Sequence, residues 1–133
     1  MSFSTRLTIN FGDTDPAALV YFPNIFHYCH IAMERFFEER CGIPYSTLVR
    51  ERRLGFPTVQ IQAEFKSALR YGDVIDVELS VTKVSNKSLS LSYTMISDDV
   101  VCAEVSQVVV AMDLDSHRSV EIPDSLREVL QQE

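Results

Sequence analysis

Between Pro23 and Arg40 the apolar residues recur with the 3.6-residue period of a helix, and this segment limits the folds open to the chain. Ile25, Phe26, Cys29, Ala32, Met33, Phe36 and Phe37 share an arc of roughly 140° on a helical wheel, while His27, Glu34, Arg35, Glu38 and Glu39 fill the opposite side. Three phenylalanines and a methionine on one stripe need a large apolar surface to press against, and the following sequence supplies it. Val59, Ile61, Ala63 and Phe65 alternate with Gln60, Gln62, Glu64 and Lys66. Ile75, Val77, Leu79 and Val81 alternate with polar neighbours, as do Leu89, Leu91, Tyr93 and Met95. That is the period of half-buried strands. Val100 to Leu114 is apolar at both parities around Val108-Val109-Val110, which predicts a strand inside the sheet.

Upstream, Phe3, Thr5, Leu7, Ile9 and Phe11 alternate as a first strand, and Gly12 through Pro16 breaks the pattern. Asn24 is the expected N-cap of the long helix and Gly42 its C′ residue. A short helix or loop at Tyr45–Arg53 ends at Gly55-Phe56-Pro57. Tyr71-Gly72-Asp73, Ser85-Asn86-Lys87 and Ser97-Asp98-Asp99 supply turns. A last helix starts near Pro123-Asp124 and carries Leu126, Val129 and Leu130. One strand, a long helix and four consecutive strands make an α+β fold with an antiparallel sheet. At 133 residues the expectation is a single domain, residues 1–133. One helix covers one face of such a sheet, so the other face or an edge is left for a second subunit.

The chain is 46% apolar and 23% charged, the balance of a globular protein. Its net charge of −7 argues against a nucleic acid or an anionic membrane as main partner, since both require a basic face. Cys29, Cys41 and Cys102 are odd in number and form no CxxC pair, which suits reduced thiols in the cytoplasm. The sequence opens with no signal-peptide pattern, and no run is long enough to span a membrane.

Chemistry concentrates in the segment from Phe11 to Asn24. Pro16 pushes Asp15 toward an extended backbone, so Asp15 stands just before the long helix rather than inside it. A carboxylate beside a helix N-terminus can attack or activate a nucleophile while unpaired N–H groups draw charge onto a carbonyl oxygen. That combination suits hydrolysis of an ester or thioester. Asp13 is read as making a loop-stabilising hydrogen bond or an ion pair in preference to a carboxylate pair with Asp15. His27, His30 and Glu34 lie at i, i+3 and i+7, but His27 belongs to the polar face and no fourth ligand is evident, so no metal site is expected. Cys29, on the apolar arc, is read as inert core.

The run Phe11-Gly12-Asp13-x-Asp15-Pro16-Ala17, then Val20-Tyr21-Phe22-Pro23-Asn24, Gly55-x-Pro57, Ala63-x-Phe65 and Asp73-Val74, resembles the 4-hydroxybenzoyl-CoA thioesterase family of hotdog-fold acyl-CoA thioesterases. The resemblance covers essentially the whole chain. It implies an antiparallel five-stranded sheet wrapped around one long helix, in a homodimer or dimer of dimers with each active site at a subunit interface. It implies Asp15 as nucleophile or general base and the Phe22 backbone N–H as the group polarising the thioester carbonyl. Tyr21, His30, Phe56, Pro57 and Lys87 become the substrate-binding candidates. Lys87 is the foremost of the cations Lys66, Arg70, Lys83, Lys87 and Arg118 for the coenzyme A phosphates. No cofactor is implied, coenzyme A being part of the substrate. Two positions depart from the pattern: His30 stands where the hydroxybenzoyl branch is acidic, and Ala18 where glycine is common. A hydratase or dehydratase on the same fold pairs its acid with a histidine five residues on, which here is Val20. A non-catalytic acyl-thioester-binding dimer is the other alternative.

Overall fold

The alternating runs become strands whose inward residues form one continuous core with the long helix. A computed structural model describes residues 3–133. In chain order the elements are β1 (Phe3–Thr8), a 3-10 turn at Phe11–Asp13, α1 (Asn24–Glu39), α2 (Tyr45–Arg50), β2 (Leu54–Gly55), β3 (Thr58–Phe65), β4 (Val74–Val84), β5 (Ser88–Ser97), β6 (Val100–Val110), β7 (Met112–Asp113), β8 (Arg118–Ser119) and α3 (Asp124–Gln131). A five-stranded antiparallel sheet runs in the order β1-β4-β5-β6-β3, and β2, β7 and β8 form a small second sheet. This is the five-stranded sheet around one helix that the resemblance implied.

Cross-strand register lines up the inward residues: Leu79 faces Tyr93, Tyr93 faces Val105 and Val105 faces Ala63. Onto this face α1 lays Ile25, Cys29, Ala32, Met33, Phe36 and Phe37, all buried. Burying each of the larger of these side chains contributes about 1.5–3 kcal/mol. Phe36 packs edge-on against Phe3 of β1 at 5.8 Å, and Phe37 stands 5.4 Å from Phe56. Leu126 and Leu130 of α3 are buried in the same core, and Arg127 donates to the carbonyls of Ser85 and Asn86 in the β4–β5 turn. At the far end of α1, Arg40 pairs with Glu133 at 2.7 Å.

Several expectations are corrected. The first strand stops at Thr8, because the Asn10 N–H donates to Asp13 Oδ2 and turns the chain, leaving Phe11 71% exposed. Asn24 is the first helical residue rather than the cap: Pro23 precedes it, and the Asn24 amide donates instead to the Asp13 carbonyl. Gly42 does turn the chain out of the helix, at φ +72°, so that Ile43 N–H donates to the Phe37 carbonyl. The second helix ends at Arg50, short of Arg53. The long apolar run breaks at Ala111, and Met112–Asp113 joins the small sheet.

The inward alternation of β3 fails at its start. A register shift between Thr58 and Gln60 puts Thr58 opposite the buried Val109 and leaves Val59 62% exposed. Val108 and its neighbours do lie inside the sheet, with β5 on one side and β3 on the other. β3 itself is an edge strand. Its inward-side residues Ile61 and Phe65 stay exposed because α1 packs over β1 and β4 instead.

Candidate active site

The segment between β1 and α1 folds into two consecutive tight turns. In the first, Thr14 Oγ1 donates to the Phe11 carbonyl at 2.8 Å, and Asp13 Oδ2 accepts from Asn10 N–H and from the Tyr28 hydroxyl, each at 3.0 Å. The Asp13 carbonyl accepts from Tyr21 N–H at 3.0 Å and from the Asn24 amide at 2.8 Å. Asp13 is thus the loop stabiliser anticipated. In the second turn Asp15 N–H donates to the Leu19 carbonyl and Ala18 N–H to the Asp15 carbonyl. Hydrogen bonds from Val20 to Leu69 and from Tyr71 to Ala18 fasten this turn to the β3–β4 connection.

Asp15 sits half-buried at the start of that reversal. Its Oδ1 accepts from Ala17 N–H at 2.9 Å and Leu19 N–H at 3.3 Å. Its other oxygen takes no hydrogen bond from the described residues, and none of the ion pairs among them includes Asp15. One oxygen is held and one is free, an arrangement suited to nucleophilic attack or to activating water. Farther along the loop, the Phe22 N–H finds no acceptor among the described residues. The first turn of α1 carries no acidic side chain, so the positive end of its dipole is left uncompensated. Tyr21 and Phe22 are both exposed, their rings 5.6 Å apart, and Phe22 meets Phe65 edge-on at 6.3 Å.

The other candidates gather elsewhere. His30, Phe56 and Pro57 line a mostly apolar groove of about 310 Å³ with Met33, Tyr45 and Met112. Tyr45 fixes one wall, its hydroxyl accepting from Phe56 N–H at 3.0 Å. Pro57 and Lys87 lie at one end of the sheet: Val110 N–H donates to the Pro57 carbonyl and Ala111 N–H to that of Lys87. Phe22 lies at the other, against Phe65, and the Asp15 turn is fastened there to the β3–β4 connection. The eight residues of β3 separate the two ends by about 23 Å. A single chain therefore divides the candidates into two groups. Among the other cations, Lys66 pairs with Glu104 at 3.4 Å, and Lys66, Arg70, Lys83 and Arg118 are all exposed.

Among the described residues no three His, Cys, Asp or Glu side chains converge as metal ligands would, and no helix is long and apolar enough to cross a membrane. Two polar features escaped the sequence reading. Tyr28 interrupts the α1 stripe yet is 2% exposed; burial and the Asp13 bond push its phenol upward, so it remains a donor. Inside the sheet, Tyr93 donates to Gln107 Oε1 and Gln107 Nε2 to Thr58 Oγ1, both at 2.7 Å. A glutamine at an inward parity was the one signal for that network.

Comparison with known proteins adds a family and its fold. The model of the Thioesterase-like superfamily matches residues 9–130. The chain is 31% identical over 131 residues to the 4-hydroxybenzoyl-CoA thioesterase of a Pseudomonas species, covering 92% of each protein. It is 29% identical over 126 residues to the 1,4-dihydroxy-2-naphthoyl-CoA hydrolase of Nostoc punctiforme, covering 95% of this chain and 84% of that one. Among solved structures, a gentisyl-coenzyme A thioesterase matches with a TM-score of 0.86 and 28% identity, over 97% of this chain and 99% of that one.

Proposed function

The chain belongs to the Thioesterase-like superfamily, and from that premise we propose that it hydrolyses an acyl-CoA thioester to a free acid and coenzyme A. The observation carrying this reading is Asp15: half-buried, one oxygen clamped by two backbone N–H groups and the other free, in the loop that leads to the unpaired Phe22 N–H and the start of α1. A thioester carbonyl is electrophilic enough that one oriented carboxylate and an oxyanion donor suffice. In one route the free oxygen of Asp15 bonds to the carbonyl carbon and the Phe22 N–H holds the developing oxyanion. Collapse of that oxyanion breaks the C–S bond, expelling the thiolate and leaving a mixed anhydride that water then cleaves to the free acid and Asp15 carboxylate. In the other, Asp15 takes a proton from the attacking water and the same oxyanion collapses to acid and thiolate. The absence of a histidine at Val20 disfavours hydration or dehydration at carbon.

A second copy of the chain completes the site. The unpaired outer edge of β3, with Val59, Ile61 and Phe65 exposed along it, suits antiparallel pairing with the same edge of a partner. A two-fold axis at the middle of β3 brings the Asp15 end of one copy to the Pro57–Lys87 end of the other, joining the two separated groups. The groove at His30, Phe56 and Pro57 then receives the acyl group, Tyr21 flanks it, and Lys87 meets coenzyme A phosphate. The three relatives named above act, by their names, on aromatic acyl-CoAs, and a hydroxylated aromatic acyl group fits an apolar groove edged by His30. The enzyme works in the cytoplasm, as a homodimer or dimer of dimers, without resident metal or prosthetic group.

Thiol release from a panel of short, long and aromatic acyl-CoAs tests the reading. Aromatic substrates should turn over fastest, and Asp15→Asn should lower kcat by roughly 10²–10⁴-fold. Release that survives Asp15→Asn unchanged removes Asp15 from the mechanism. A wild-type protein that binds the panel without releasing thiol is a binding module instead.

A further inference from the structure

The residue two before Asp15 receives hydrogen bonds from four different groups, and they connect the Asp15 loop to α1. Its carbonyl holds Tyr21 N–H and the Asn24 side chain, which places the peptide leading into Phe22 and the start of α1. Its carboxylate holds Asn10 N–H and the Tyr28 hydroxyl. Tyr28 is part of α1 itself and buried off the apolar stripe, so its hydroxyl ties the loop to the helix.

We propose that Asp13 and Tyr28 are a pair of positioning residues: they lock the Asp15 turn to α1 and thereby set the Asp15 carboxylate against the Phe22 N–H. The inference rests on the thioesterase reading of those two groups. Asp15 belongs to the loop and the Phe22 N–H to the helix entry, and the Asp13–Tyr28 bond joins loop to helix between side chains. A carboxylate displaced by about 1 Å from its productive place can cost on the order of 10²-fold in rate, so a bond that only holds geometry has a kinetic signature.

The geometry also distinguishes this role from a shared-proton carboxylate pair. Asp13 is engaged with Tyr28 and Asn10, whereas Asp15 is engaged with Ala17 and Leu19, and the two carboxylates share no donor. Both bonds to the Asp13 side chain fall on the same oxygen, Oδ2. An asparagine can place its carbonyl oxygen there and keep both. The device therefore needs an acceptor at that point and no charge.

The test is steady-state kinetics on the best acyl-CoA of the panel for Tyr28→Phe, Asp13→Ala and Asp13→Asn, with thermal unfolding of each. Tyr28→Phe, which removes only the hydroxyl, should lower kcat about tenfold with KM within about twofold. Asp13→Ala should lower kcat by roughly 10²-fold, and Asp13→Asn should restore it to within about threefold of wild type with an unmoved pH profile. A Tyr28→Phe enzyme with lowered Tm and unchanged kcat makes the bond merely structural and overturns the proposal. An Asp13→Asn enzyme as slow as Asp13→Ala, or with a shifted pH profile, overturns it in favour of a charge role. A wild-type protein inactive on every acyl-CoA overturns the parent reading and this one together; an active wild type with an unchanged Tyr28→Phe overturns this one alone.

Discussion

Ala18 occupies the tightest point of the turn around Asp15, at φ +62°, in the left-handed region where an L side chain crowds its own backbone. It is exposed, and its methyl group contributes little packing that a substitution would lose. Its N–H and carbonyl are both used, the first toward the Asp15 carbonyl and the second by Tyr71 N–H, so the conformation is enforced by hydrogen bonds at each side. Holding a non-glycine residue there costs about 1–2 kcal/mol. Ala18→Gly removes that cost but gives the unfolded chain extra freedom worth about 0.4–1 kcal/mol. The difference is a net stabilisation of about 0.5–1 kcal/mol, or a rise of about 3 °C in Tm for a chain of this size. Ala18→Val, β-branched at the same φ, should go the other way by at least about 1 kcal/mol. Urea unfolding followed by far-UV circular dichroism, at one fixed protein concentration because a dimer links stability to concentration, reads both. An Ala18→Gly protein with an unchanged or lowered midpoint at constant m would refute the reasoning, since the strain it removes would not exist. Glycine, common at this position in the resembled family, is the residue that φ favours.

The buried network in the sheet makes a second prediction. Gln107→Leu orphans the fully buried Tyr93 hydroxyl and Tyr93→Phe orphans Gln107 Oε1, so each should cost about 1–3 kcal/mol, while the double variant should lose less than the sum; additive losses in the same urea assay would count against the network. A charge on the free edge tests the two-copy site: Ile61→Lys should shift the protein to monomer in analytical ultracentrifugation and depress thiol release at least tenfold, and an active Ile61→Lys monomer would show that one chain suffices. Burial raises the Cys29 and Cys41 thiols from 9.0 to about 12. Their raised folded values stabilise the native state below the unfolded value near pH 9, and that contribution is lost as pH climbs toward 12. The urea midpoint should fall across that window, less steeply in a Cys29→Ala/Cys41→Ala protein; an identical slope would contradict the assignment.

Periodicity alone determined that the segment from Ile25 to Phe37 is a helix with one apolar stripe and that the runs after Pro57 are antiparallel strands. Burial of an apolar side imposes a repeat that a single chain displays without any knowledge of its neighbours. The placement of Asp15 ahead of the helix was equally legible, because Pro16 and the turn residues act on their immediate backbone. What tertiary structure decided were the polar side chains whose partners lie far along the chain. Tyr28 reads as an off-pattern helix residue until the loop folds back and presents Asp13 to it. Gln107 reads as a lapse in strand alternation until Tyr93 and Thr58 arrive from neighbouring strands. The split of Asp15 and Phe22 from Pro57 and Lys87 is likewise a property of strand order, since which edge of a sheet stays open depends on pairings among all five strands and leaves no local mark in any of them.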